Sequence, residues 1–159
     1  MSFEINFSEL RRRFLGSWVK RRDRVLRTLC ARYIDERQHA ARFRQHAEAM
    51  HYAQHRAALH RIATDELDHA ELIAHKIREL GGSVPEVPVI AARARNPWGY
   101  LVEDLEEERR CGAELEQEIL GLGRNYGDVA DVLRRIEQDE RKHRDEIREM
   151  MMRSDPQAA

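Results

Sequence analysis

The sequence predicts an all-α protein, a four-helix bundle made of two helical hairpins joined by a long crossover. Charged residues make up 36% of the 159 positions, and only 8 Gly and 4 Pro interrupt a chain rich in good helix formers. No stretch shows the apolar and polar alternation typical of strands. The strongest breaks lie at 81–88 and at Asn96-Pro97, where an N-cap residue precedes a first-turn proline. These breaks divide the chain into two halves.

Each half is expected to hold one hairpin. In the second half, glycines at positions 121, 123 and 127 separate helices predicted over 97–122 and 128–152. The first half contains neither Pro nor Gly between residues 20 and 80, and we place its turn near 46–50. Because no helix breaker is present, there is an alternative in which the first two helices continue into each other and are swapped between two chains, so that each site is built from both.

The predicted bundle spans residues 21–153, followed by a tail over 154–159. Residues 1–20 are predicted to form an extra N-terminal amphipathic helix, whose apolar face is made of Phe7, Leu10, Phe14 and Trp18. Because this face is too apolar to remain in water, we expect a homodimer.

The overall composition excludes several classes of partner. Lys and Arg total 28 against 29 acidic residues, so no strong field attracts nucleic acid or a membrane surface. No window approaches the ~18 uninterrupted apolar residues of a membrane span. With two cysteines, Cys30 and Cys111, and no signal-peptide pattern after Met1, the expected location is the cytoplasm.

An internal repeat carries the chemistry. A shift of 74 residues superimposes seven identical positions within an 18-residue window: Tyr52 and Tyr126, Leu59 and Leu133, Arg61 and Arg135, Ile62 and Ile136, Asp65 and Asp139, Glu66 and Glu140, His69 and His143. Both copies end in Asp-Glu-x-x-His. A Glu and a His three residues apart lie on one helical face, about 4.5 Å apart along the axis, so both can reach one metal ion. The repeat therefore supplies two metal positions.

The other helix of each hairpin contributes one more carboxylate. Glu36 and Glu108 each replace an apolar residue at a core-facing position of their helix. The intervals from Glu36 to Glu66, 30 residues, and from Glu108 to Glu140, 32 residues, bring these groups level in antiparallel hairpins. Two single glutamates with two Glu-x-x-His pairs match the ligand pattern of di-iron carboxylate bundles.

Energetic considerations also favour metal. Four ionised glutamates inside a helix bundle are costly unless something compensates their charge, and burial with mutual repulsion is expected to raise the pKa of all four. Two divalent cations would neutralise them. A mixed oxygen and imidazole donor set suits iron or manganese better than structural zinc.

The residues around these motifs resemble the rubrerythrin and bacterioferritin branch of the ferritin-like superfamily. The stretch 51–70, which contains Ala-Thr-Asp-Glu-Leu-Asp-His-Ala, is similar to the second helix of a rubrerythrin, and 66–82 resembles a generic ferritin-like segment ending in Leu-Gly-Gly. Glu108, with Leu115 and Ile119 after it, is similar to the third helix of bacterioferritin. The resemblance covers about residues 25–150.

The resemblance implies a di-iron centre, with manganese as an alternative, that reacts with dioxygen or hydrogen peroxide. Its six ligands would be Glu36, Glu66, His69, Glu108, Glu140 and His143. Glu66 and Glu140 would bridge or chelate the metal pair and carry the catalysis. His69 and His143 would cap one iron each.

Departures from the family patterns narrow these expectations. Two cysteines cannot form the four-cysteine electron-transfer site of rubrerythrins, so an external electron donor stays open as a partner. Leu67 stands where bacterioferritin has its haem-ligating Met, so no haem is expected. Only seven residues follow Met152, which leaves little for the fifth helix of a storage cage. His39 and Cys111 follow Glu36 and Glu108 by three residues, and packing behind the ligands is favoured over an additional ligand role.

The leading functional hypothesis is a di-iron oxidoreductase of ferroxidase or peroxidase type. One alternative is a helical scaffold or interaction module whose metal site is structural or vestigial. Another is a di-metal oxygenase that acts on an organic substrate.

Overall fold

Four helices follow the breaks in the sequence. In a computed structural model of the chain, residues 7–88 and 96–154 are described, with side chains from residue 18 onward except that of Arg124. The helices are α1 (Phe7–Ala49), α2 (Ala53–Glu79), α3 (Pro97–Gly121) and α4 (Gly127–Arg153), and a 3-10 turn at Arg124–Tyr126 precedes α4. These described ranges contain no strand, so the predicted all-α bundle is confirmed.

Of the predicted N-terminal amphipathic segment over 1–20, residues 7–20 form the beginning of α1, which continues without a break for 43 residues, and residues 1–6 lie outside the described part of the chain. Of its apolar residues, Trp18 is 47% exposed, while the side chains of Phe7, Leu10 and Phe14 lie outside the described part of the chain. α1 is sixteen residues longer than α2 (43 against 27), which corresponds to about 24 Å of helix.

The first hairpin turns at residues 50–52, just after the predicted 46–50. The Tyr52 carbonyl accepts hydrogen bonds from the backbone N–H groups of His55 and Arg56, both at 3.1 Å, which starts α2 without a glycine or proline. α1 then packs along α2 of the same chain. The structure therefore has an ordinary hairpin where the sequence also allowed an exchange between chains.

The end of α2 explains the glycine pair in the sequence. Gly81 has a left-handed backbone (φ 73°), and its N–H donates to the Arg78 carbonyl at 2.9 Å. The N–H of Gly82 donates to the Ile77 carbonyl, also at 2.9 Å. A Cβ atom on Gly82 would lie 2.7 Å from Leu26 Cδ2, so this glycine lets the chain pass close to α1.

The second hairpin begins as predicted. The Asn96 side chain accepts a hydrogen bond from the Gly99 N–H at 2.7 Å, and Pro97 occupies the first turn of α3. The connection from α2 to α3 is thus the long crossover between hairpins. α3 packs along α4, and the two hairpins meet through α1 with α3 and α2 with α4.

Two apolar clusters fill the bundle. One cluster includes Leu29, Ile77 and Leu133, and the other includes Phe43 and Leu59. The level between these clusters is occupied by buried charged side chains. Among the described helices, none is both long and apolar enough to cross a membrane.

Candidate metal centre

All six predicted ligands meet between the two apolar clusters. Each helix contributes a glutamate, and α2 and α4 each add the histidine one turn later: Glu36, Glu66 with His69, Glu108, and Glu140 with His143. The four glutamates have 0% exposure and the two histidines 3% and 4%. The structure therefore brings together all six residues that the sequence proposed as ligands.

Glu66 lies at the centre of this group. Its Oε2 atom is 3.6 Å from Nδ1 of His69, and its Oε1 atom is 3.0 Å from Nδ1 of His143. The same Nδ1 atom of His69 is 3.6 Å from Oε2 of Glu36. The two oxygens of Glu66 thus face different histidines, which is the geometry expected of a carboxylate that contacts two ions.

The ligand atoms themselves are buried without hydrogen-bond partners. This holds for both carboxylate oxygens of all four glutamates and for Nδ1 of His69 and His143. Leaving so many buried polar atoms unsatisfied is costly, and native proteins avoid it unless an ion or water completes the site. These oxygen and nitrogen donors fit a pair of divalent cations such as iron or manganese.

Three of the four glutamates have raised pKa values. Burial, with the charge of Glu66 added to it, raises the pKa of Glu36 and Glu108 well above the ordinary value. Burial and the charge of Glu66 raise the pKa of Glu140 to about 7. These directions agree with the expectation from the sequence.

The expectation of a raised pKa is wrong for Glu66. Burial by itself would raise its pKa, but contacts with Glu36, His143 and His69 outweigh burial and lower the pKa well below the ordinary value. Burial by itself would lower the pKa of His69, because it disfavours the charged imidazolium. The contacts of His69 with Glu36 and Glu66 outweigh burial and raise this pKa to about 11. The pKa of the central carboxylate is therefore lowered, whereas the pKa values of the three glutamates around it are raised.

Each ligand histidine contacts an aspartate from the other half of the chain. Nε2 of His143 donates a hydrogen bond to Asp65 at 3.2 Å, and Nε2 of His69 is 3.6 Å from an oxygen of Asp139. Each aspartate directly precedes a ligand glutamate in the other copy of the motif. Such a carboxylate behind a histidine fixes the ring so that its inner nitrogen can bind metal. The repeat had matched Asp65 with Asp139 but did not reveal this role.

Two solved structures share this architecture. One is a dodecameric thioferritin, the bacterioferritin-related protein from Bacteroides fragilis, with a TM-score of 0.76, 17% identity, and coverage of 82% of this chain and 86% of that chain. The other is from ferritin-like, diiron-carboxylate proteins of Bacillus anthracis str. Ames, with a TM-score of 0.75, 18% identity, and coverage of 82% and 97%. This chain has the ferritin-like fold. The fold implied by the sequence resemblance is confirmed.

The overall sequence similarity to known proteins is low. No protein-family model matches this sequence, and no curated protein matches it. At such low identity, the ferritin-like fold follows from helix packing, whereas the chemistry must be argued from the site.

A cavity of about 290 Å³ opens to the histidine side of the ferritin-like bundle, between α2 and α4. Its lining consists of five pairs related by the 74-residue shift: Arg61 and Arg135, Asp65 and Asp139, Asp68 and Lys142, His69 and His143, Leu72 and Glu146. The cavity therefore lies where the two copies of the repeat meet. Only one of its ten lining residues is apolar.

Arg144 is a further residue of the site that the sequence did not indicate. Its Nη1 atom donates to the Glu108 carbonyl at 3.2 Å and lies 3.8 Å from Oε2 of Glu140. A Cβ atom on Gly112 would lie 2.6 Å from the same Nη1 atom, so the missing side chain there makes room for the guanidinium. The only sequence signal was the glycine within a helix.

Proposed function

We propose that this chain is a non-haem di-iron protein that oxidises ferrous iron with dioxygen or hydrogen peroxide. The observation that carries the proposal is the set of buried donor atoms without hydrogen-bond partners, contributed by four glutamates and two histidines. Two divalent cations would balance four carboxylate charges in an interior where unpaired charges are costly. The names of the two similar structures, a thioferritin and diiron-carboxylate proteins, also support iron.

Bound ferrous ions would supply two electrons, enough to reduce hydrogen peroxide to water or dioxygen to hydrogen peroxide, each with two protons. The chain would contribute geometry and charge. Glu66, whose pKa is lowered, would hold both ions, while the raised pKa values of Glu36, Glu108 and Glu140 would fall as the ions bind. Asp65 and Asp139 would hold His143 and His69 in place.

The cavity beside the histidines favours small polar reactants. Its lining is charged or imidazole except for Leu72, whereas pockets for organic molecules are mostly apolar. A ferrous ion or hydrogen peroxide fits such a lining, and dioxygen, although apolar, is small enough to enter the cavity. This favours iron oxidation over the oxygenase alternative.

The test is an anaerobic titration of the metal-free protein with Fe(II), followed by separate rapid mixing with dioxygen and with hydrogen peroxide. We expect two ions per bundle and a ferric absorbance that grows after mixing. Glu66→Ala should abolish both results. Glu71→Ala, an exposed glutamate on the same helix, is the matched control and should change neither.

The outcomes separate the hypotheses. Absence of Fe(II) binding would refute the proposal altogether. Two bound irons that neither oxidant converts would support the scaffold alternative with a structural metal site. If dioxygen reacts faster, the result favours a ferroxidase, and if hydrogen peroxide reacts faster, it favours a peroxidase.

A further inference from the structure

A third buried histidine lies against the metal centre. His39 is on α1, one turn after Glu36, and is 2% exposed. Its Nδ1 atom is 3.8 Å from Oε1 of Glu108 and has no hydrogen-bond partner. One ligand atom each from Glu36, His39 and Glu66 lie within 4.8 Å of one another. The Nδ1 atom of His39 therefore faces Glu108, and the ring lies close to Glu36 and Glu66, among the carboxylates that would hold the metal pair.

His39 has the same arrangement as the two predicted histidine ligands. In all three rings Nδ1 is buried, points toward the glutamates and lacks a partner, as in His69 and His143. In all three rings Nε2 faces an acidic side chain farther out. For His39 this is Glu107, whose Oε1 atom is 3.6 Å away, and Sγ of Cys111 also lies 3.5 Å from the same Nε2 atom.

The acidic partners follow one rule. Asp65, Asp139 and Glu107 each directly precede a ligand glutamate on their own helix and face a histidine from the opposite half of the chain. The fourth acid of this kind is Asp35, which precedes Glu36. The histidine position that would complete its pair is occupied by Cys111, and Asp35 lies instead 3.8 Å from Arg32.

We infer that His39 is a seventh protein ligand of the proposed metal pair, binding through Nδ1 to the ion held by Glu36 and Glu66. The inference rests on the proposed metal binding but not on any oxidation reaction. It makes the two metal positions inequivalent, because the ion near Glu36 gains a histidine for which the second half of the chain has no counterpart. The second group, formed by Glu66, Glu108 and His143, would hold the other ion.

A separate ion on the outer side of His39 is disfavoured by charge. His39, Glu107 and Cys111 also lie close enough to share an ion. However, Arg110 already donates to both carboxylate oxygens of Glu107, at 2.7 and 3.1 Å, and to Sγ of Cys111 at 3.4 Å. The positively charged guanidinium thus lies against Glu107 and Cys111, which disfavours binding of a cation there. Glu107 instead serves to orient the ring of His39.

The decisive measurement uses Co(II), which binds like Fe(II) but does not react with oxygen in this site. In proton NMR of the Co(II)-loaded protein, each ligating imidazole contributes one strongly shifted, exchangeable N–H signal, here from Nε2. We expect three such signals in the wild type and two in His39→Gln, with at least about a tenfold loss of affinity for one of the two ions.

A second buried histidine of α1 provides the control. His46 has 0% exposure, and its Nδ1 atom lies 2.8 Å from Asp104, away from the metal centre. His46→Gln should therefore retain three signals and both affinities. This variant removes an imidazole of similar burial from the same helix.

The wild-type spectrum decides the question even if a variant fails to fold. Two shifted signals at full occupancy of two Co(II) ions would overturn ligation by His39 and leave the proposed metal centre intact. A third Co(II) ion that is lost in His39→Gln would assign the ring to the outer group and overturn the inference. Absence of Co(II) binding would overturn both the inference and the proposed function.

Discussion

Replacing Glu140 by Gln should stabilise the metal-free protein at neutral and alkaline pH. Burial and the charge of Glu66 raise the pKa of Glu140 from 4.5 to about 7. A carboxyl with a raised pKa contributes stability below its unfolded value, and this contribution is lost as pH rises through the folded value. The interval from 4.5 to about 7 corresponds to roughly 3 kcal/mol of unfolding free energy. A neutral amide of the same shape avoids this loss.

The assay is thermal unfolding of metal-free protein, followed by circular dichroism. Above about pH 8, Glu140→Gln should melt roughly 6–12 °C higher than the wild type, and near pH 4 the two should coincide. Glu137→Gln is the control, since Glu137 lies on the same helix, is 7% exposed and pairs with Arg141. The melting temperature of Glu137→Gln should not rise above that of the wild type as pH increases. Equal melting of Glu140→Gln and wild type above pH 8 would refute the reasoning.

The other groups of the site determine the pH dependence of the wild type. Glu36 and Glu108, with raised pKa values, destabilise the metal-free fold as pH rises above 4.5. His69, raised from 6.5 to about 11, contributes stability below 6.5 that is lost as pH rises toward 11. Glu66 acts in the opposite direction, but its lowered pKa confines that effect to pH values below 4.5. As pH rises from about 4.5 into the alkaline range, these groups of the site should therefore lower the stability of the metal-free protein.

Three further predictions concern metal, ligand orientation and assembly. Anaerobic Fe(II), or Mn(II) as a redox-quiet substitute, should raise the melting temperature at pH 7 by several degrees, since each ion at 100 times its dissociation constant adds about 2.7 kcal/mol. In the Glu66→Gln, Glu140→Gln double variant, metal should raise the melting temperature much less. Identical melting curves for the wild type with and without metal would contradict metal binding. Asp65→Asn should weaken metal affinity about 10- to 100-fold by releasing His143, measured by calorimetry, and an unchanged affinity would remove the orienting role. We also expect a homodimer that depends on the N-terminal part of α1, so Trp18→Glu should shift the mass measured by light scattering toward the monomer, and an unchanged mass would place any interface elsewhere.

Asp68→Asn is the matched control for the orientation experiment. Asp68 lines the same cavity as Asp65 and lies on the same helix. Because the histidine hydrogen bond comes from Asp65, removing the charge of Asp68 should leave the affinity within the error of the measurement. A loss of equal size in both variants would indicate a general effect of cavity charge.

Much of the fold and of the ligand set was predictable because helix periodicity is local. Residues three positions apart lie on one face of any helix, so Glu66 with His69 and Glu140 with His143 could be paired from spacing alone. The repeat then supplied the matching copy. The cap at Asn96 and the glycines after α2 and α3 placed the helix ends to within a few residues.

Contacts between helices were decided only by the tertiary structure. Which acid faces which histidine depends on how two helices are rotated and shifted along each other, and a change of one residue moves a side chain about 100° around its helix. Spacing could not show that Asp65 orients His143, that Nδ1 of His39 faces Glu108, or that Arg144 lies over Gly112.

The pKa values of the site residues likewise could not be predicted from the sequence. Four buried glutamates suggested four raised pKa values, yet Glu66 keeps its charge because both histidines and Glu36 converge on it. A pKa depends on distances of a few ångströms between groups far apart in the chain, and no local pattern encodes these. The residue types of the candidate site thus follow from sequence periodicity, whereas the division of charge and protons among them follows from the packing of four helices.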